Sequence, residues 1–133
     1  MSSELESIVN EVVKKLLDKA EKLIAKETGL PAVTDENFHE IIKSNPIVVI
    51  DFWAPWCTPC YIYEPVFEKV ANEYKDRAFF GRLNTDENPK TADELGIVNI
   101  PSTVIIVNGK VEDIIVGAVE EEILKEHLQK YIR

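Results

Sequence analysis

The first part of the chain carries a hydrophobic pattern of helical period. Within residues 3–28 apolar side chains recur at three- and four-residue steps, which predicts one amphipathic helix. Ser3 followed by Glu6 fits a capping box, and Gly29, with a proline two residues later, is a stop signal. The apolar stripe is broad, and lysines interrupt a strict heptad seam, which favours packing on a globular surface over a long coiled coil. We therefore predict an N-terminal helical extension over residues 1–29.

From residue 30 onwards the pattern changes to short apolar runs that alternate with amphipathic segments. The run Ile47–Trp53 is almost entirely apolar and β-branched, which predicts a strand buried on both faces. The elements predicted around it are a short strand at 32–33, a helix capped by Thr34 and ended by Asn45-Pro46, a helix opened by the cysteine stretch and kinked at Pro65, a strand at 78–83, a helix at 89–95, strands at 103–107 and 111–116 joined by Asn108-Gly109, and a helix at 120–131.

This order of elements predicts an α/β fold for residues 30–133. Strands separated by helices imply parallel neighbours, and the final hairpin adds an antiparallel strand. We expect a central mixed sheet covered by helices on both faces, with the N-terminal helix as an addition.

Composition and charge exclude several classes of protein. The 133 residues are 45% hydrophobic and 29% charged, and 15 basic against 24 acidic side chains give a net charge of -9. A phosphate backbone would be repelled, so we expect no nucleic-acid partner. No apolar run reaches about 18 residues, so we expect no membrane span. The N-terminus lacks the features of a secretory signal, which predicts the cytoplasm, where a disulfide is usually catalytic or transient.

Both cysteines of the chain lie in the stretch WAPWCTPC at residues 53–60. If Cys57 and Cys60 open a helix, their Cα atoms lie about 5–6 Å apart, within the range of a disulfide. Such a bond closes a very small loop and adds little folding stability, which favours a redox role over a structural staple. The unpaired amides and the dipole of a helix start favour a thiolate, so Cys57 is the candidate exposed nucleophile. We expect Trp53 and Trp56 to form an apolar rim around the sulfurs.

Other interpretations of the cysteine pair remain open at this point. Two buried cysteines can be neighbours by chance. The pair can also be half of a metal site, although zinc takes four ligands and His39 and His127 stand at distant positions that fit no motif. Two chains can pool their cysteines in a four-thiolate site. We expect His39 to lie on the solvent-facing side of its helix and His127 to pack on the apolar stripe of its helix. We therefore predict no metal site.

Two segments resemble the thioredoxin family. Residues 51–60 (DFWAPWCTPC) are similar to its active-site segment, and residues 100–103 (IPST) to the segment that faces it. Residues 108–109 and 116–118 resemble the closing hairpin of the family. The resemblance covers about residues 30–133 and implies a thioredoxin-like fold that reduces protein disulfides. It also implies client proteins with disulfides, a thioredoxin reductase-type electron donor, and no cofactor beyond a redox-active Cys57-Cys60 disulfide.

The resemblance further implies roles for individual side chains. Cys57 attacks a client disulfide, and Cys60 then attacks Cys57 and releases the reduced client. An acid in a buried apolar strand is costly when ionised, so we expect a raised pKa for Asp51, and the resemblance implies that it is the base for Cys60. The alternative is an ordinary strand-end aspartate that accepts hydrogen bonds from backbone N–H groups. The substrate-binding residues that the resemblance implies are Trp56, Thr58, Pro59, Ile100, Pro101 and Gly117.

Several positions depart from the family pattern. Thr58 stands where most members carry glycine, and we expect its hydroxyl to donate a hydrogen bond to the thiolate. Arg82 stands where a lysine often lies, and because arginine keeps its proton we expect it to oppose part of the rise in the Asp51 pKa. Tyr61 and Glu64 replace residues that are often basic and small, which alters the surface beside the nucleophile.

Two alternative functions follow from the sequence. One is a disulfide oxidant or isomerase of the same fold, against which the missing export signal and the lack of a histidine before Cys60 argue. The other is a binding module, in which the N-terminal helix mediates assembly and the cysteines hold metal or are idle. We expect the apolar stripe of that helix to cover the domain itself, with dimerisation through a second copy of the chain as the alternative.

Overall fold

A computed structural model describes residues 9–16 and 29–132 of the chain. The chain divides into two compact units, Met1–Leu30 and Pro31–Arg133. Residues 9–16 are helical, as predicted, and are labelled helix α1. The rest of the helix predicted over residues 3–28 lies outside the described residues. The apolar side chains of α1 with 48% to 60% exposure are Val9, Val12, Val13 and Leu16.

The second unit carries the elements of an α/β fold close to their predicted positions. Its helices are α2 (Phe38–Ser44), α3 (Thr58–Tyr74), α4 (Pro89–Glu94) and α5 (Glu121–Gln129), and its strands are β1 (Ile47–Trp53), β2 (Phe79–Asn84), β3 (Ser102–Val107) and β4 (Lys110–Val116). None of the helices within the described ranges has the length and apolar character needed to cross a bilayer.

Two predicted details at the start of this unit are wrong. Instead of a strand at 32–33, Ala32 makes one isolated parallel bridge to Arg82. The N-cap of α2 is Asn37 rather than Thr34. Thr34 and Asn37 exchange hydrogen bonds between their side chains and backbone N–H groups, so the threonine stabilises the turn before the helix.

The four strands form one mixed sheet in the order β2-β1-β3-β4. Strands β1 and β2 run parallel, and β3 runs antiparallel to both β1 and β4. The mixed sheet and the closing hairpin are confirmed, but the parallel direction expected of strands separated by a helix is wrong for β3. Helix α4 spans only about 9 Å, less than half of the about 20 Å length of a strand, and the chain after it leads to Ser102, which pairs with Phe52 near the end of β1. Strand β3 therefore starts at the sheet end where β1 and β2 finish.

Each face of the sheet is covered by helices, as expected. Val48, Ile50 and Phe52 of β1 share a hydrophobic cluster with Phe38 of α2 and Ala92 of α4. Because side chains alternate along a strand, the residues between them point to the opposite face.

Helix α3 covers that opposite face. The Phe67 ring of α3 packs edge-on against Phe80 of β2, with 5.8 Å between centroids. Helix α5 lies beside α3, where Lys125 pairs with Glu73 at 2.8 Å. Asp51 lies between Ile50 and Phe52 in β1, so its side chain lies on the face of the sheet that α3 covers.

Candidate active site

The cysteine pair lies where β1 ends and α3 begins. Cys57 is the N-cap of α3, and Cys60 is its third residue, so the predicted helix start at the cysteines is confirmed. Their Cα atoms are 5.3 Å apart, inside the predicted range, and the sulfurs form a disulfide. The position at a helix start follows from the local sequence, because Pro59 lacks an N–H and fits the first turn.

The helix start stabilises negative charge on the leading sulfur. The Cys60 N–H donates to Cys57 Sγ at 3.3 Å, so a helical amide without a backbone partner points at this sulfur. Helix α3 has 17 residues and no acidic residue in its first turn, so its dipole adds partial positive charge there. Both effects favour a thiolate at Cys57 once the disulfide is reduced.

The two cysteines differ little in exposure. Cys57 is 4% exposed and Cys60 is fully buried. Ala54, Trp53 and Ile100 pack around them. Cys57 is therefore more covered than expected of an exposed nucleophile, but of the two it is the residue that reaches the surface.

The two tryptophans occupy different places beside the pair. Trp56 is 70% exposed, and its indole N–H donates to Asp86 Oδ1 at 3.1 Å, which fixes the ring at the surface. Trp53 is half-buried in the apolar cluster around the sulfurs. Tyr61 is 51% exposed and donates its hydroxyl to the Pro55 carbonyl at 2.7 Å. An apolar, partly aromatic surface thus adjoins the pair.

The loop before β3 brings a second segment against the cysteines. The Ile100-Pro101 peptide bond is cis, and the Ile100 carbonyl oxygen lies 3.8 Å from Cys57 Sγ. The Gly117 N–H donates to the Pro101 carbonyl at 2.8 Å. Gly117 has φ +101°, a conformation that favours glycine. Ile100, Pro101 and Gly117 therefore form one connected group that reaches the sulfur.

Thr58 is exposed, and its hydroxyl makes no hydrogen bond to another described residue. The hydrogen bond expected from this hydroxyl concerns the thiolate of the reduced protein and stays a prediction.

Asp51 is fully buried in the middle of β1. Its neighbours in the sheet are Arg82 on β2 and Thr103 on β3. The Arg82 Nε–H donates to Asp51 Oδ2 at 3.1 Å. Burial raises the pKa of Asp51 from 3.8 to about 6, Arg82 opposes part of that rise, and Glu64 adds to it.

Arg82 interacts with two carboxylates and an aromatic ring. It is 7% exposed, and besides its bond to Asp51 its Nη1 lies 3.6 Å from Glu64 Oε1. The guanidinium carbon lies 4.5 Å from the centroid of the Trp53 ring, a cation–π distance. The charge of Arg82 is thus shared between two carboxylates.

Sequence reasoning missed some polar residues of this interior. The Tyr63 hydroxyl lies 2.7 Å from Thr103 Oγ1, and both residues are fully buried. The signals were present, because Cys60, Tyr63 and Glu64 follow at helical steps, and Thr103 interrupts an apolar strand.

Neither histidine lies in a group of metal ligands. His39 is exposed and 3.3 Å from Glu94, and half-buried His127 is 2.6 Å from Asp113. Across residues 9–16 and 29–132, no three side chains of His, Cys, Asp or Glu come together in a way that could hold a metal ion.

Comparisons with known proteins agree with this geometry. The Thioredoxin family model matches residues 29–130. Thioredoxin 2 of Chlorobaculum tepidum is 44% identical over 100 residues, which cover 74% of this chain and 92% of that protein. Thioredoxin of Griffithsia pacifica is 44% identical over 106 residues, 79% of this chain and 97% of that protein. A chloroplastic M-type thioredoxin of Chlamydomonas reinhardtii is 41% identical over 102 residues, 76% and 73% of the two chains. The chain belongs to the thioredoxin family, and it is a thiol-disulfide oxidoreductase that acts through its Cys57-Cys60 pair.

Proposed function

We propose that the protein works as a general reductant of client disulfides, with Cys57 as nucleophile, Cys60 as resolving thiol and Asp51 as its base. The observation that carries this proposal is the disulfide at the start of α3, with Cys57 as N-cap accepting the Cys60 N–H. A thiolate stabilised at this position is a good attacking group and reacts at neutral pH.

In the first step the Cys57 thiolate attacks one sulfur of the client disulfide. The client S–S bond breaks, a mixed disulfide between Cys57 and the client forms, and the other client sulfur leaves as a thiolate.

In the second step the thiol proton of Cys60 passes to the Asp51 carboxylate. The Cys60 thiolate attacks Cys57, the mixed disulfide breaks, and the second client sulfur leaves as a thiolate. Two electrons have then passed to the client, and the protein holds the Cys57-Cys60 disulfide. The burial of Asp51 supports this role, because a carboxyl with a pKa of about 6 exchanges protons near neutral pH.

Client binding is proposed for the surface beside the pair. The connected group of Ile100, Pro101 and Gly117 fits an extended client segment that pairs with backbone like an added strand. The exposed Trp56 ring supplies an apolar contact. The first turn of α3, with Thr58 and Pro59, completes the surface.

The oxidised protein must be recharged. Membership of the family implies disulfide-containing clients and a reductase as electron donor. We propose the cytoplasm as the site of action, because a reductant of this kind works where thiols are kept reduced. Fractionation of cells with detection of the protein tests that location, and recovery from an oxidising compartment would contradict it.

For the domain organisation we propose that residues 30–133 carry the exchange alone. The family match begins at residue 29, and residues 1–28 lie outside it, so neither self-packing nor dimerisation of the N-terminal helix has support from it. A chain without residues 1–28 is expected to keep the full turnover rate. Sedimentation of both chains tests assembly, and a dimer seen only with the full chain would assign dimerisation to this segment.

The test of the function is reduction of a model disulfide protein with a chemical dithiol as donor. Cys57→Ser is expected to lose turnover, whereas Cys60→Ser is expected to stop at the mixed disulfide, which mass spectrometry detects. Equilibration with glutathione gives the direction of transfer. A potential as oxidising as that of dedicated oxidants, about -120 mV, would contradict the reductant assignment.

A further inference from the structure

The buried pair of Arg82 and Asp51 makes one of two available hydrogen bonds. Arg82 Nε donates to Asp51 Oδ2 at 3.1 Å. Arg82 Nη2, which lies on the same side of the guanidinium as Nε, is buried and has no hydrogen-bond partner among the described residues, and neither has Asp51 Oδ1. An arginine facing a carboxylate frequently makes two parallel bonds, and here the second is not made.

Glu64 contacts the opposite end of the guanidinium. Its Oε1 lies 3.6 Å from Arg82 Nη1, the nitrogen that points away from Asp51. The guanidinium carbon of Arg82 lies over the Trp53 ring, 4.5 Å from the ring centroid, so the ring restricts the movement of the guanidinium towards it. The guanidinium is therefore placed between two carboxylates, one fully buried and one 25% exposed.

Few other titratable groups face this cluster. From α3, Tyr63 points to the same interior, and burial raises the pKa of its hydroxyl, so it stays neutral at working pH. Cys60 lies one helical turn before Glu64 on the same helix. Among the described residues, the charged side chains that act on the Asp51 carboxyl are Arg82 and Glu64.

We propose that Glu64 is a positioning residue that draws the Arg82 guanidinium away from a two-point pair with Asp51 and so keeps Asp51 able to accept the Cys60 proton. This inference rests on the proposed role of Asp51 in the second step. There Cys60–SH and the Asp51 carboxylate become the Cys60 thiolate and the Asp51 carboxylic acid. A second bond from a permanently charged arginine stabilises the carboxylate and makes it a weaker base.

The experiment is the pH dependence of the second step, followed by rapid mixing as release of client from the mixed disulfide. One limb of this profile, the rise of the rate with pH, reports ionisation of Asp51. In Glu64→Gln the midpoint of this limb is expected to move to lower pH by about one unit. A shift of that size corresponds to the free energy of one more charge-assisted hydrogen bond. The plateau rate is expected to fall. Glu68→Gln is the matched control, because it removes the same charge one turn further along α3, and it should keep the wild-type profile. Carbon NMR of the Asp51 carboxyl follows the same shift directly.

Two further variants separate the possible failures. Asp51→Asn is expected to remove this limb; if the limb persists, the proposed base is wrong and the inference falls with it. If Asp51→Asn removes the limb while Glu64→Gln leaves it in place, the base stands and positioning by Glu64 is contradicted. In an Arg82→Met background Glu64→Gln is expected to have a much smaller effect. An equal shift in both backgrounds would show that Glu64 acts on Asp51 directly as a charge and would also contradict the positioning role.

Discussion

Asp51→Asn is expected to stabilise the protein at neutral pH although it removes a proposed catalytic group. Asp51 is fully buried, and burial raises its pKa from 3.8 to about 6, with Arg82 opposing part of the rise. Between these two pH values the folded state holds a proton that the unfolded state has released. The free energy of unfolding therefore falls as the pH rises through this window.

The magnitude follows from the size of the shift. A rise of about two pH units, at about 1.4 kcal/mol per unit, corresponds to about 3 kcal/mol. This contribution is fully present below pH 3.8 and is lost as the pH passes about 6. Asparagine has no charge to bury, so it avoids the loss. The attraction between Arg82 and Asp51 is already contained in the shift, and Arg82 keeps Glu64 as a partner.

The assay is urea unfolding of oxidised wild type and Asp51→Asn, followed by tryptophan fluorescence from about pH 4 to about pH 8. The difference in unfolding free energy is expected to be near zero at the acid end and about 3 kcal/mol in favour of the variant at the alkaline end. Asp76→Asn, an exposed carboxylate after α3, is the control and should show no such trend. A difference that is constant with pH, or a variant less stable than wild type at pH 8, would contradict a destabilising charge on buried Asp51.

Four further substitutions test the packing of the core and the conformation of the backbone. Gly81→Ala should destabilise the protein by about 1–3 kcal/mol, because an added Cβ lies 2.7 Å from Val33 Cγ2. Gly117→Ala meets no atom but has φ +101°, so a loss of about 1–2 kcal/mol in denaturant unfolding would come from the backbone alone. Leu128→Ala, fully buried in α5, should cost about 2–5 kcal/mol, whereas Ile123→Ala, 39% exposed, should cost less than about 1 kcal/mol. Equal losses for these last two would contradict the burial assigned to α5.

Many elements of this fold can be predicted from short local patterns in the sequence. The apolar run of β1, the cysteine and proline pattern that opens α3, and the Asn108-Gly109 turn each depend on a few adjacent residues, so they are readable in the sequence. The cap at Asn37 was missed because Thr34 can serve a turn or a helix equally well. The direction of β3 depends on the end of the sheet to which α4 and the loop after it lead the chain, which periodicity does not report.

The sequence predicted the reactive cysteine pair of the site, but it did not predict the contacts that distant residues make with the site. The three-residue spacing of Cys57 and Cys60 determines the distance between their Cα atoms, because both residues lie at the start of one helix. The cover on Cys57 comes from Ile100, 43 residues away in sequence. The contact of Arg82 with Glu64 joins β2 to α3 across the interior, and no local pattern encodes such a pairing.

Alkylation measures directly whether the start of α3 makes Cys57 an easily ionised nucleophile. Cys60→Ser leaves one thiol, and its rate of reaction with iodoacetamide is measured against pH. The midpoint is expected to lie clearly below the value of about 8.5 for free cysteine. A midpoint at or above that value would show that the helix start does not activate this thiol.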